Sequence, residues 1–296
     1  MEDTYCVDKE PVEMLLECLI GERKADLASF FVKKPIVNDP LAGEVVGVEA
    51  IEKMLRESPF WSNVKGLNQV VCRVLTQPMS VIDTYVDIEF KGKMMPMRLY
   101  LAVDNNNGLI NSVARIYYCP ILLDIKKHRP PIMPANPNLA FPADFTGAYQ
   151  DALHEKKGTK EERIQRIVET FEENGHFVGP LDNYYRGKQD LLNMFSFFYE
   201  EGDGVVLKFS TLIDDGFSVA IEFIIPAGFY AKGDRKGSED FCGIAIYSRG
   251  PTGKIISGRS NDDNSHAPNT TILKPLSPSD WGPRIDIVDG KSTVSN

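Results

Sequence analysis

The apolar residues near the start of the chain recur at helical spacing. Val12, Leu15 and Leu19 fall at i, i+3 and i+7 of a predicted helix that begins at Pro11 and stops at Gly21, because proline suits the first helical turn and glycine ends a helix. Two more helices are predicted at residues 25–32 and 48–57, with a short strand at residues 35–38 between them.

Beyond Pro59 the pattern changes to runs of β-branched and aromatic residues that are separated by turn-forming residues. These runs predict strands at residues 70–76, 79–90, 94–103 and 109–119. Helices followed by an antiparallel meander predict an α+β fold with the helices on one face of a curved sheet.

The same order of elements returns after a proline-rich segment at residues 121–142. Thr159 and Glu162 form a capping-box pattern at the start of its second helix. This half is predicted to contain helices at residues 144–155, 159–175 and 188–199, and strands at residues 176–178, 205–213, 217–225, 241–248 and 254–260.

A short motif inside this order occurs twice, which indicates one structural unit built twice. Asp-Pro-Leu at residues 39–41 precedes a helix opened by Gly47, and Gly-Pro-Leu at residues 179–181 precedes a helix opened by Gly187. The first copy carries a carboxylate where the second carries glycine. One half is therefore expected to keep a polar or catalytic group that the other lacks.

A chain of 296 residues is long enough for two domains that each bury a core. We expect a first domain at residues 1–122, a proline-rich linker at 123–142, a second domain at 143–266 and a C-terminal arm at 267–296. Trp281 is the one candidate to anchor that arm.

Charge and composition exclude several classes of function. A net charge of −9 disfavours nucleic acid and anionic membranes as partners, because phosphate binding needs clustered cations. The sequence lacks an apolar run long enough to span a bilayer, and its acidic first ten residues do not resemble a secretory signal. Five scattered cysteines and four isolated histidines predict a cytoplasmic protein with reduced thiols and no metal site.

The stretch from Val37 to Ile51, which contains Asn38-Asp39-Pro40-Leu41 and Gly47, resembles the nuclear transport factor 2-like superfamily. That superfamily includes ketosteroid isomerases and SnoaL-like polyketide cyclases. The resemblance implies two cone-shaped domains, each with three helices packed on a curved antiparallel sheet. It also implies that Asp39 matches the catalytic base of the ketosteroid isomerase branch. In those isomerases an aspartate base works beside an oxyanion hole.

Two family patterns are incomplete in this chain. The first helix reads Leu16-Glu17-Cys18 where the family places its oxyanion-hole tyrosine. Loss of one such donor typically costs about 10²- to 10³-fold in rate, so ketosteroid isomerisation itself is not expected. Ile116 follows Arg115 where the epoxide hydrolases of this fold continue an Asp-Arg-Asp arrangement.

Candidate site residues in the first half follow from the family resemblance and from strand parity. Asp39 is the candidate general base, although Asn-Asp-Pro is also a common turn initiator. Met97, Leu99 and Ile116 are expected to form an inner wall, which either lines a ligand cavity or fills a core. Tyr118 is the candidate to hydrogen-bond a ligand oxygen near Asp39.

Strand parity also assigns an outer face to residues 81–89. Asp83, Tyr85, Asp87 and Glu89 alternate with apolar residues and are expected to face solvent or a dimer partner.

In the second half, Tyr149 lies on the first helix and His176 precedes the Pro180 turn. These two side chains are candidates for an acid and a base, and a buried tyrosine with a strand-end histidine explains the same residues. Tyr184 and Tyr185 are expected at the mouth of a cavity, where they would contact substrate or another domain.

Two hypotheses of different class follow. The first is a SnoaL-like isomerase, cyclase or lyase that uses Asp39 on a mostly apolar metabolite, without metal or organic cofactor. The second is a non-catalytic tandem binding or scaffold protein of the same fold. An open pocket beside Asp39 favours the enzyme, and a filled interior favours the binding protein. In either case the halves are expected to pair as an internal pseudo-dimer, with a homodimer as a further possibility.

Overall fold

The computed structural model describes residues 9–23, 26–125, 129–180, 182–201, 207–227, 240–263, 284–288 and 291–295. The chain divides into two units, Met1–Ile116 and Tyr117–Asn296. Each unit is built around one six-stranded sheet. Each half therefore has the predicted α+β class.

Helix α1 (Pro11–Leu19) confirms the first predicted helix. Pro11 takes the first helical position, and Glu10 and Glu13 form a capping box. Helix α2 (Val48–Glu57) is confirmed at the predicted bounds. The predicted helix at residues 25–32 is wrong, since the described part of that range, residues 26–32, forms a 3₁₀ turn (Leu27–Phe30) and no α-helix. Its end is set by Phe31, which is already extended and bridges to Ile110.

The first sheet has the strand order β2-β1-β6-β5-β4-β3. Its central long strands pair antiparallel, but β1 lies parallel to β6, with Val37 opposite Ala114. The predicted antiparallel meander is thus present, and the sheet is mixed because β1 adds a parallel pair beside β6. The strands are β1 (Ile36–Asp39), β2 (Gly43–Val46), β3 (Val64–Leu75), β4 (Met79–Phe90), β5 (Lys93–Asn106) and β6 (Leu109–Tyr117).

Strand β4 is buried on both of its faces. Ile82 and Val86 have no exposed surface, and neither does Asp83 on the opposite face, where Tyr85 is also buried. The prediction that Asp83 and Tyr85 face solvent is therefore wrong.

The second sheet repeats the order of the first, as β8-β7-β12-β11-β10-β9. Its inner strand β7 lies parallel to β12, in the position that β1 takes beside β6. The strands are β7 (Phe171–Val178), β8 (Tyr184–Arg186), β9 (Lys208–Asp214), β10 (Ser218–Ile225), β11 (Phe241–Arg249) and β12 (Ile255–Asp262).

Three α-helices belong to the described part of this unit: α3 (Phe145–His154), α4 (Lys160–Glu169) and α5 (Gly187–Glu201). The predicted capping box of Thr159 and Glu162 is confirmed at the start of α4. Helix α4 ends six residues before the predicted Gly175, because β7 begins at Phe171, which pairs with Ile255. The side chain of Glu172 fixes this start, since it accepts hydrogen bonds from the N–H and the hydroxyl of Thr252 (2.8 and 2.7 Å).

The repeated motif corresponds to the same local structure in both units. Strand β1 leads through a turn and β2 into α2, and strand β7 leads through a turn and β8 into α5. Gly47 and Gly187 start these helices with φ of +93° and +72°. That backbone region favours glycine over residues with a side chain.

The proline-rich segment is held to the second sheet by a buried ion pair. Arg129 Nε donates to Asp263 Oδ2 over 2.6 Å, and the Cys242 thiol donates to the same oxygen over 3.1 Å. Within the predicted arm, β13 (Arg284–Val288) and β14 (Lys291–Ser295) pair antiparallel. Trp281 lies outside the described residues.

Candidate functional site

Asp39 is the last residue of β1, and its side chain has no exposed surface. One carboxylate oxygen, Oδ1, accepts the backbone N–H of Leu41 and of Ala42, each over 2.8 Å. The other oxygen, Oδ2, accepts the indole N–H of Trp61 over 2.8 Å. Both oxygens of the candidate base are thus engaged by N–H donors of the protein.

Local sequence explains this arrangement. Aspartate before proline favours a turn in which its side chain accepts N–H groups two and three residues ahead. Trp61 reaches the carboxylate from a 3₁₀ turn (Trp61–Asn63) that follows α2. The ring of Phe60 packs edge-on against the indole at 4.8 Å and 87°, which fixes the orientation of the donor.

Trp61 is the partner of Asp39 that sequence reasoning missed. The two residues are 22 positions apart, and no periodic pattern links a residue after α2 to the end of β1. A buried indole usually finds an acceptor for its N–H, which is the only signal that could have drawn attention to Trp61.

The predicted inner wall is tightly packed. Met97, Leu99 and Ile116 each have 0% exposed surface. A cavity large enough to hold water would give its lining side chains some accessible surface. These three residues therefore belong to a filled region. Tyr118 is equally buried, just beyond the end of β6.

Tyr149 of α3 lies in the apolar core of the second unit, together with Phe171 and Phe195. Its hydroxyl is hydrogen-bonded to that of Tyr247 on β11, and the two rings are 5.0 Å apart. Burial, followed by the neighbouring Tyr247, raises the pKa of Tyr149 well above its ordinary value. Burial likewise raises the pKa of Tyr247 to about 12, so both hydroxyls keep their protons at neutral pH.

His176 lies on the opposite face of the second sheet from Tyr149. Its neighbour Phe177 belongs to the same core cluster as Tyr149, and successive residues of a strand point to opposite faces. His176 Nε2 is hydrogen-bonded to Ser257 Oγ over 2.9 Å, and its ring stacks on Tyr184 at 5.2 Å. Tyr149 and His176 therefore do not form one acid-base site.

Tyr184 and Tyr185 are likewise separated by strand parity. Tyr184 stacks on His176, while Tyr185 packs against the core cluster on the other face. Burial raises the pKa of both tyrosines. The two side chains do not line one cavity mouth.

Ser257 was missed because its role depends on strand register. It lies opposite His176 in the parallel pairing of β12 with β7. The register is not visible in the sequence, since that pairing contains an irregularity between Ile255 and Ser257.

Within the described ranges of the chain, no group of three His, Cys, Asp or Glu side chains is placed to hold a metal ion. No helix in these ranges is long and apolar enough to cross a bilayer.

No protein-family model matches the sequence, and no curated protein matches it either. Several solved structures are similar to about 40% of the chain. A putative isomerase of the SnoaL-like family from Agrobacterium tumefaciens is 19% identical, with 40% of this chain and 94% of that chain covered and a TM-score of 0.32. A nuclear transport factor 2-like protein from Burkholderia thailandensis is 18% identical, with 41% and 90% covered and a TM-score of 0.33.

An epoxide hydrolase/cyclase-like enzyme of pyran ring formation in the polyether salinomycin is also similar, at 18% identity with 41% and 88% covered and a TM-score of 0.33. Each match has about the length of one half of this chain. The likeness concerns the fold alone.

Proposed function

We propose that this chain is a non-catalytic binding or scaffold protein built from two α+β halves. In this proposal Asp39 stabilises the turn between β1 and β2 and does not transfer a proton. One observation supports it most strongly: both carboxylate oxygens of Asp39 accept N–H groups of Leu41, Ala42 and Trp61.

A general base must bring a free lone pair within hydrogen-bond reach of a substrate proton. Asp39 is fully buried, and Trp61 beside it is 5% exposed. A substrate would have to displace the indole or the turn before it reached the carboxylate. Hydrogen bonds to a charged group are worth about 1.5–3 kcal/mol each, so such displacement works against catalysis.

The packing of the inner wall supports the same proposal. A ligand pocket needs a few hundred Å³ of open space, whereas Met97, Leu99 and Ile116 have no water-accessible surface. In the second unit, the first-helix residue Tyr149 is surrounded by a core that includes Phe171, Phe195 and Tyr247.

The second candidate is the cofactor-free SnoaL-like isomerase, cyclase or lyase acting on a mostly apolar metabolite. The complete burial of the Asp39 carboxylate at the end of β1 favours it, since enzymes often hold their catalytic groups in sites that exclude water. It requires that the Trp61 contact opens when substrate binds. Tyr118 would then be the candidate ligand donor.

A proton-exchange assay separates the two candidates. The wild type and Asp39→Asn are incubated in deuterated water with a panel of cyclic ketones and enones, and deuterium uptake is followed by NMR. The proposal predicts no difference in exchange between the two proteins and a lower melting temperature for the variant. If the wild type took up deuterium into the ketones and Asp39→Asn did not, although its melting temperature was unchanged, the enzyme hypothesis would be supported instead.

Asp26→Asn is the matched control for stability. Asp26 also accepts a backbone N–H, that of Ala28 over 2.9 Å, but it does so on the surface. The control should therefore lose less stability than Asp39→Asn.

We also propose domains at residues 1–122 and 143–266, a linker at 123–142 and a C-terminal arm at 267–296. The two halves are proposed to form an internal pseudo-dimer in a cytoplasmic protein, with a homodimer as a further assembly.

A further inference from the structure

A groove of about 600 Å³ lies on the second unit, between α3, the C-terminal end of α4 and the turn that joins β11 to β12. This volume is in the range of about 300–1,000 Å³ that is typical of binding sites. It is not lined by any of the candidate catalytic residues Asp39, Tyr118, Tyr149 and His176. Its lining consists of Asp144, Phe145, Ala148, Asp151, Ala152, Glu155, Arg166, Glu169, Thr170, Gly253 and Lys254.

The floor of the groove is apolar and firmly held. Phe145, Ala148 and Ala152 follow one another at i, i+3 and i+7 on a single face of α3. The Arg249 guanidinium packs over the Phe145 ring at 5.0 Å. It also pairs with Asp144 over 2.6 Å at the start of the same helix. Small alanine side chains on such a floor permit close approach of a second helix.

The rim of the groove carries more acidic than basic side chains. Asp151 and Glu169 are exposed, and Glu155 lies one helical turn beyond Asp151 along α3. Lys254 and Arg166 supply the two cations of the lining. The backbone N–H of Lys157 and the nearby charges of Lys157 and Arg166 hold the pKa of Glu155 below its ordinary value, so its carboxylate is ionised at neutral pH.

We propose that this groove binds a basic amphipathic helix of a partner protein. The inference rests on the proposed function, because it names the partner of a binding module. Leucine-like side chains of the partner would cover Ala148 and Ala152, and its Lys or Arg side chains would reach Asp151, Glu155 and Glu169. A groove between helices with an apolar floor is suited to an amphipathic helix, and the charge of the rim selects a basic one.

The test uses full-length protein and a fluorescein-labelled peptide of Leu and Lys arranged on opposite helix faces. A length of about 14 residues is enough for helix formation on binding. Fluorescence anisotropy should show saturable binding that weakens as salt is added. A Leu/Glu peptide of the same pattern, and a Leu/Lys peptide scrambled to destroy its apolar face, should each bind at least about tenfold more weakly.

Two groove variants test the location. Ala148→Trp fills the floor, and the double variant Asp151→Lys and Glu155→Lys reverses the rim charge, so each should weaken binding about tenfold. The controls lie on α2 in the first unit: Ala50→Trp matches Ala148→Trp at an exposed alanine, and Glu52→Lys reverses one exposed acidic charge where the groove variant reverses two. The controls should bind like the wild type, and the melting temperature of each variant checks that it is folded.

Absence of binding by the wild type, or variants that bind within twofold of it, would overturn the inference. Displacement of the peptide by spermine at an equal concentration of charge would overturn it as well, because that result identifies a polyamine site. None of these variants alters Asp39. If the peptide did not bind the groove and deuterium exchange did not depend on Asp39, the further inference would be wrong and the proposed function would still hold.

Discussion

The indole of Trp61 and the carboxylate of Asp39 are predicted to be energetically coupled. Trp61→Phe removes the N–H that donates to Asp39 Oδ2 over 2.8 Å, while the phenyl ring keeps most of the packing. A lost hydrogen bond to a buried charged group costs about 2 kcal/mol, and the smaller ring adds about 1 kcal/mol. We therefore expect Trp61→Phe to lower the free energy of unfolding by about 3 kcal/mol.

Asp39→Asn isolates the same contact from the other side. Its amide oxygen can still accept the N–H groups of Leu41 and Ala42, but its amide NH₂ then faces the indole N–H. The expected cost is about 2 kcal/mol. The double variant should recover about 2 kcal/mol relative to the sum of the single variants, because each change removes the same hydrogen bond.

Urea unfolding followed by circular dichroism measures all four proteins of this cycle. A difference of about 2 kcal/mol corresponds to about 8 °C in melting temperature for a domain of the size of the first unit (Met1–Ile116). A coupling energy below about 0.5 kcal/mol would refute the reasoning, since it would mean that the indole does not hold the carboxylate.

Three further predictions concern the second unit. Arg249→Gln should lower the free energy of unfolding by about 2 kcal/mol, because Arg249 binds both Asp144 and Asp214. The exposed control Arg73→Gln should lower it by less than about 1 kcal/mol. Burial tends to raise the pKa of Asp214, but hydrogen bonds from Arg249 and the Gly216 N–H hold that pKa below its ordinary value. The ionised carboxyl therefore stabilises the fold above about pH 4, and this stabilisation is lost as the pH falls further. Urea midpoints between pH 2 and 6 should show that loss in the wild type and less of it in Arg249→Gln, and equal pH profiles would contradict the assignment. Tyr247→Phe should lower the free energy of unfolding by about 1–3 kcal/mol, because it leaves the buried Tyr149 hydroxyl without its partner. Adding Tyr149→Phe should lower it little further, since the hydrogen bond is already lost. Strictly additive losses in urea unfolding would argue against this hydrogen bond. Gly258→Ala should lower the free energy of unfolding by about 1–3 kcal/mol, because its Cβ would lie 2.5 Å from the Phe177 ring. In the control Gly66→Ala, the Cβ meets only a flexible glutamate oxygen. Equal melting temperatures of the two variants would show that the strand can move aside.

The order of elements could be predicted because it depends on local patterns. Periodicity located α1, α2 and the long strands, and the glycines at positions 47 and 187 marked helix starts that require positive φ. The boundary between α4 and β7 could not be predicted, because it depends on Glu172 meeting the turn at Thr252. These two residues are 80 positions apart, and only the folded sheet brings them together.

The part of the candidate site that depends on local sequence was predicted, and the part that depends on distant residues was not. The Asp39-Pro40 pair reveals a turn and a burial-prone carboxylate, and both are present in the structure. Its third hydrogen bond comes from Trp61, which no local rule connects to it. The separation of Tyr149 from His176 followed from strand parity, but it required knowledge that Phe177 faces the core.

The Trp61 indole proton offers the most direct measurement of whether Asp39 is held in a structural role. The chain has two tryptophans, so a protein labelled with nitrogen-15 at the indole gives two resonances, and Trp61→Phe identifies which belongs to Trp61. We predict that this proton exchanges with solvent at least about 10³-fold more slowly than a free indole, and that Asp39→Asn removes most of the protection. Rapid exchange in the wild type, or protection unchanged in Asp39→Asn, would contradict the claim that the carboxylate is bound by the indole.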